Sequence, residues 1–168
     1  KLGISMSDLF GVNDTILTVD NKSITHIPDL LSHFGFAREL ASQLNLQIRF
    51  NPLQSDFKFT LGETPSIKEN ENAHAYFACI VKNVRIAPSE KKIKTRLEKC
   101  GAKSINNVVD VSNYVLFETG QPTHFFDNNT MLKSEIEVSY SKDGDKILLL
   151  DGSDRALEKD ILIIKNGK

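Results

Sequence analysis

The helical repeat that organises the first two-thirds of this chain stops at Pro122, and turn dipeptides take over. Asp143-Gly144 and Asp151-Gly152 flank the run Lys146 to Leu150, with Ile136 to Tyr140 before it and Ile161 to Ile164 after it. Asp-Gly beside apolar runs marks tight turns, so the tail reads as a β meander without a helix. Upstream, Leu30, Phe34, Ala37, Ala41 and Leu44 recur at helical spacing and predict one amphipathic helix over Pro28 to Leu44. Pro28 suits its first turn. Gly35 inside it costs about 1 kcal/mol relative to Ala, which points to close packing against another backbone. Ile93, Leu97 and Cys100 stripe a second helix that starts at Pro88-Ser89-Glu90 and ends at Gly101. Asn107 to Thr119 is the third, with Asn106 as N-cap and Gly120 closing it. Asp14 to Asp20, Gln47 to Phe50, Ala75 to Ile86 and His124 to Phe126 have strand composition. The class is therefore mixed α and β of the α+β kind: helices packed on largely antiparallel sheets.

At 168 residues the chain is one compact module or two small intimate ones. The irregular stretch from Asn51 to Asn72 is the place for a two-lobed division, and it holds at most short strands. The chain opens with Lys1 and stops just after a strand-like run, so residues 1–168 read as a piece excised from a longer protein. No run approaches the ~18–20 apolar residues of a membrane span, and Lys1 to Phe10 lacks a signal-peptide core. Cys79 and Cys100 form no CxxC pair and read as reduced packing thiols. A formal net charge of -1 argues against holding nucleic acid by bulk electrostatics. It leaves room for a site that touches one end of an RNA. The basic stretch Lys91 to Arg96 reads as the solvated face of a helix.

Standard catalytic patterns are absent: no HExxH, no Walker-type phosphate loop, no GxSxG elbow. His26, His33, His74 and His124 are scattered, which argues against a metal site. Ser112, His124 and Asp110 can be written as a triad, but nothing in their spacing supports one. One residue breaks a local rule. On the helix Asn107 to Thr119, Glu118 falls within about 20° of Val111, at the edge of the stripe Val108, Val111 and Val115. It also lies in the last turn, where the helix dipole disfavours negative charge. A glutamate so placed is either functional or a rim residue paired with a lysine. The following Gly120 to Asp127 is dense in hydrogen-bonding groups, as a tied corner between helix and strand would also be.

Ser104-Ile105-Asn106-Asn107-Val108-Val109-Asp110-Val111-Ser112-Asn113-Tyr114-Val115, continuing through Glu118, Gly120-Gln121-Pro122, His124 and Phe126-Asp127, closely resembles the beta subunit of phenylalanyl-tRNA synthetases. The resemblance is to the editing module, the third and fourth domains of that subunit. Asp20 to His26 with Pro28-Asp29, then Gly35 to Ala41, is similar to the family's entry loop and first helix. Asp143 to Lys146, Leu150 to Gly152 and Asp160 to Ile163 resemble its closing strands. Asn51 to Asn72 matches least.

The resemblance implies a cytoplasmic fidelity module of protein synthesis that hydrolyses the ester of mischarged tyrosyl-tRNA(Phe). An apolar pocket rejects an added hydroxyl only about 10²-fold, whereas a site that must satisfy that hydroxyl discriminates by about 10⁴–10⁵. Glu118 matches the glutamate that recognises the tyrosine hydroxyl. Gly101 matches a small residue lining the pocket, and Ser141 falls near another. His26 and Asn113, inside the matching stretches, complete the expected substrate-binding set. No side-chain nucleophile is identified, which leaves a positioned water helped by the ribose hydroxyl of the tRNA end. The implied partners are the tRNA(Phe) acceptor end and the alpha subunit of an alpha2-beta2 parent. No cofactor is expected in this piece, and ATP and magnesium are expected for the parent. One departure matters. The family loop reads Thr-His-Arg-Pro-Asp or Thr-Pro-Asn-Arg-Pro-Asp, and here Ile27 stands at the arginine, which implies weaker editing or a different cation. The alternative is a structural, tRNA-docking module of the same subunit without effective editing.

Overall fold

In the computed structural model, the residues described are 3–10, 14–49, 62, 64–68, 71, 75–131, 135–149 and 152–165. Helices and strands segregate into two units. The first comprises Lys1–Asp56 with Ile86–His124, the second Phe57–Arg85 with Phe125–Lys168. The α+β class holds, with the described helices in the first unit and the described strands in the second.

The first unit carries α1 (Met6–Phe10), α2 (His33–Gln43), α3 (Lys91–Lys99) and α4 (Asn107–Thr119), with short 3-10 turns at Lys22–Ile24 and Pro28–Leu31. The α4 bounds follow its caps. The Asn106 side chain accepts from the N–H groups of Val108 and Val109, both at 3.1 Å. Gly120 takes the left-handed conformation at φ 78 and donates its N–H to the Leu116 carbonyl. Both α2 and α3 pack on α4, with Leu97 of α3 buried at 1% exposure.

The single helix expected over Pro28 to Leu44 is two pieces. Ser32 is extended at φ -116, ψ 159, between the 3-10 turn and α2. Its hydroxyl donates to the Asp29 carbonyl at 2.6 Å and accepts the Gly35 N–H at 3.0 Å. A serine that satisfies the neighbouring backbone itself competes with the helical ladder, and here it restarts the helix as an N-cap. The break packs the turn tightly. A Cβ on Gly35 would lie 1.9 Å from the Asp29 carbonyl oxygen, and one on Gly120 would lie 3.0 Å from the Asp29 Cα. Asp29 is thus wedged between the start of α2 and the end of α4, and its carboxylate pairs with Arg38.

The face of α4 is also corrected. Val111, assigned to the buried stripe, is 41% exposed, whereas Asp110 is fully buried at 0%. Apolar residues occur almost all round this helix, so periodicity cannot select the inward face, and hydrogen bonds to Asp110 decide it instead.

In the second unit β1 (Ser66–Lys68) pairs in parallel with β2 (Glu135–Tyr140), and β2 pairs antiparallel with β5 (Leu162–Lys165). A separate hairpin joins β3 (Lys146–Leu148) to β4 (Asp154–Ala156). The closing meander is therefore nested: β3 and β4 inside, β2 and β5 outside. Ile136 and Val138 of β2 form the buried alternation. The turn at Asp143-Gly144 forms as expected, with the Asp145 N–H donating to the Lys142 carbonyl at 3.1 Å and Gly144 at φ 88.

Four expected strands do not form among the described residues: Asp14 to Asp20, Gln47 to Arg49, Ala75 to Ile86 and His124 to Phe126. Phe50 and Leu150 lie outside the described residues. β propensity measures fit to a pleated, half-buried surface and becomes a strand only beside a partner edge. Conversely, Asp154–Ala156 lacks that composition and pairs because the preceding turn presents it to β3.

Candidate functional site

Along α2, Phe34, Ala37 and Ala41 present an apolar face about 11 Å long, the rise from Phe34 to Ala41. The helix ends at Leu44, where Asn45 adopts φ 52. The Asn45 N–H donates to the Ser42 carbonyl and the Leu46 N–H to the Ala41 carbonyl. This Schellman closure reverses the chain, and Leu46 to Arg49 then line the same cavity as α2. From α4, half-buried Glu118 enters the wall, and the space, open to solvent along one side, is about 550 Å³. His33 and Arg49 join Glu118 as the ionisable groups of an otherwise mostly apolar lining.

Three sets of contacts hold the helix that carries Glu118. The Nδ1–H of His33 donates to the backbone carbonyl of Phe117 at 2.8 Å, which fixes the proton of a neutral ring on Nδ1. Phe117 O is one of the last four carbonyls of α4, which have no partner within the helix. At the other end of α4 lies Asp110. Its carboxylate accepts from the hydroxyls of Ser89 and Ser104 at 2.5 and 2.6 Å and from the Ile105 N–H at 2.8 Å. Burial is the largest influence on this carboxyl and raises its pKa. Hydrogen bonds from Ser104, Ser89 and the N–H groups of Ile105 and Asn106 together outweigh it and hold the pKa below the ordinary value. Asn107 adds a backbone latch, its N–H donating to the Ala87 carbonyl at 2.9 Å and its side chain accepting the Ala87 N–H at 3.1 Å.

Of the residues singled out in the sequence, Glu118 lines this cavity and the others do not. Asn113 is half-buried on α4, about 140° round the helix from Glu118. His26 is exposed in the turn before Ile27. Gly101 closes α3 at φ +80, with its N–H on the Glu98 carbonyl and that of Ala102 on Leu97. A Cβ on Gly101 would meet nothing within 4 Å. Ser141 belongs to the second unit and is buried there, its hydroxyl donating to the Glu158 carbonyl at 2.6 Å and accepting the Ile161 N–H at 2.9 Å. The nominal triad dissolves, because the Ser112 hydroxyl donates to the Thr123 carbonyl at 2.7 Å and Asp110 serves Ser89 and Ser104. That first bond makes the corner after α4 a tied one.

Sequence reasoning missed three groups. His33 gave no signal, since its partner is 84 positions away. Arg49 lies past a left-handed turn that only Asn45 marks. Asp110 had one visible cue, an acidic group in the first turn of a helix, where the dipole favours it. Ile27 precedes the Pro28–Leu31 turn as its N-cap, and Arg49 is the guanidinium of the cavity. Among the described residues no three His, Cys, Asp or Glu side chains gather to hold a metal. Among them, too, no helix is long and apolar enough to cross a membrane.

Residues 72–168 match the B3/4 domain family. The chain is 55% identical over 168 residues to a Phenylalanine--tRNA ligase beta subunit of Leptospira biflexa, aligned over 99% of this chain and 21% of that protein. It is 51% identical to the subunit of the same name from Leptospira interrogans and 34% identical to that of Clostridium acetobutylicum, with the same coverage. The chain thus spans about a fifth of the length of these curated relatives.

Proposed function

The chain belongs to the B3/4 domain family, and from that premise we propose that it edits for a phenylalanine–tRNA ligase beta subunit. The reaction is hydrolysis of the ester in mischarged tyrosyl-tRNA(Phe). The observation that carries this reading is a half-buried carboxylate, Glu118, in the wall of a cavity lined mainly by apolar side chains. A tyrosyl ring packs against Phe34 and the α2 alanines, and its hydroxyl donates to Glu118. A phenylalanyl ring fills the same space and leaves that carboxylate desolvated without a donor, which costs more than the lost bond alone. Selection therefore runs opposite to that of an apolar pocket.

No side chain acts as nucleophile in this scheme. A water adds to the ester carbonyl, the bond to the terminal ribose breaks, and the ribose oxygen takes a proton. The protein supplies orientation for an already reactive ester. Where Ile27 offers no charge, Arg49 is the cation available at the cavity, and its planar fork suits a phosphate of the tRNA end. The tRNA acceptor end and the alpha subunit are the partners. ATP and magnesium serve aminoacylation elsewhere in the parent.

A second reading, a docking module without useful hydrolysis, is favoured by Ile27. Incubating tyrosyl-tRNA(Phe) with the assembled two-subunit ligase separates the two. Deacylation above the spontaneous rate supports editing, and none supports docking alone.

A further inference from the structure

Glu118 occupies a position that a helix disfavours: a carboxylate in the last turn of α4, where unpaired carbonyls already present partial negative charge. The structure shows what offsets it. His33, the first residue of α2, donates its Nδ1–H to the Phe117 carbonyl at 2.8 Å, one residue before Glu118. This bond satisfies an orphan carbonyl beside the carboxylate. It also ties the α4 turn that bears Glu118 to the helix forming the opposite wall, and both side chains line the same cavity.

We propose that His33 is a positioning residue for Glu118: its hydrogen bond to Phe117 sets where the carboxylate stands in the cavity and thereby sharpens selection for a hydroxylated aromatic acyl group. The inference rests on the editing reading above. It treats His33 as acting through Glu118, with no proton transfer. The junction does not depend on His33 for its packing, because Gly35 and Gly120 both close on the Asp29 backbone. Loss of the imidazole therefore leaves the two helices together and frees only the last turn. Displacement of a recognition group by about 1 Å can cost up to about 10²-fold, so a tenfold to hundredfold effect is expected.

The test compares deacylation of tyrosyl- and phenylalanyl-tRNA(Phe) by the assembled ligase carrying His33→Ala, His33→Asn or Glu118→Ala. Asparagine places an amide N–H where the imidazole has Nδ1–H and lacks the rest of the ring. His33→Ala is expected to lower the tyrosyl-over-phenylalanyl preference by about tenfold or more, and His33→Asn to restore it to within about threefold. A merely structural role would lower thermal stability without moving that ratio. Wild-type preference in His33→Ala overturns the proposal, as does a loss that His33→Asn fails to rescue. If Glu118→Ala abolishes the preference while His33→Ala keeps it, editing stands and the role of His33 falls. If the wild type shows no preference for tyrosyl ester, the editing reading falls and takes this inference with it.

Discussion

Gly35 stands so close to Asp29 that a Cβ would fall 1.9 Å from the Asp29 carbonyl oxygen. Side chain and backbone oxygen cannot share that space, and the obstacle is main chain rather than a flexible tip. Gly35→Ala therefore forces α2 away from the Pro28–Leu31 turn, at a cost of about 2–3 kcal/mol or more. Urea unfolding measures it. A helix-propensity argument alone predicts the reverse, a gain of about 1 kcal/mol, so the sign of the change decides between them.

Asp110 makes the first unit sensitive to acid. Its folded pKa lies below the ordinary carboxyl value, so its stabilisation is fully present above the unfolded pKa of about 4. It is lost as pH falls through the folded pKa. Asp110→Asn removes the charge and puts an amide NH2, a donor, where one carboxylate oxygen accepted from the Ser89 and Ser104 hydroxyls or from the Ile105 N–H. The expected loss near pH 7 is about 2–4 kcal/mol. The gap to wild type should narrow below pH 4, because the wild type loses there what the variant has already lost. Parallel stability curves from pH 7 to pH 2 would contradict this.

Ser139 of β2 carries a buried hydroxyl without a hydrogen-bond partner among the described residues. Ser139→Ala removes a desolvated polar group and only a small volume, so stability should be unchanged or raised by up to about 1 kcal/mol. A loss beyond about 1 kcal/mol in thermal unfolding would contradict the absence of a partner.

What the sequence revealed depended on how local each determinant is. Asn106 and Gly120 bound α4 because both caps act within four residues of themselves. The break at Ser32 keeps the apolar spacing of α2, so periodicity runs straight through it. Asp14 to Asp20 and Ala75 to Ile86 have strand composition but no partner edge among the described residues, while Asp154–Ala156 has the edge without the composition. Of the site, the helical wheel placed Glu118 at the margin of an apolar face. The rest of its cavity comes from a helix and a return stretch some 70 to 85 positions earlier, and a single sequence cannot pair such distant segments. The tie from His33 to Phe117 is hidden for the same reason.

The central claim is that Glu118 reads a hydroxyl on the acyl group. Single-turnover deacylation of tyrosyl-tRNA(Phe) by the assembled ligase, wild type against Glu118→Ala, tests it most directly. A hydrogen bond to a charged group is worth about 1.5–3 kcal/mol, so the tyrosyl rate should fall by roughly 10- to 150-fold. The phenylalanyl rate, which never used that bond, should stay level or rise. Equal tyrosyl rates for the two proteins would contradict the claim.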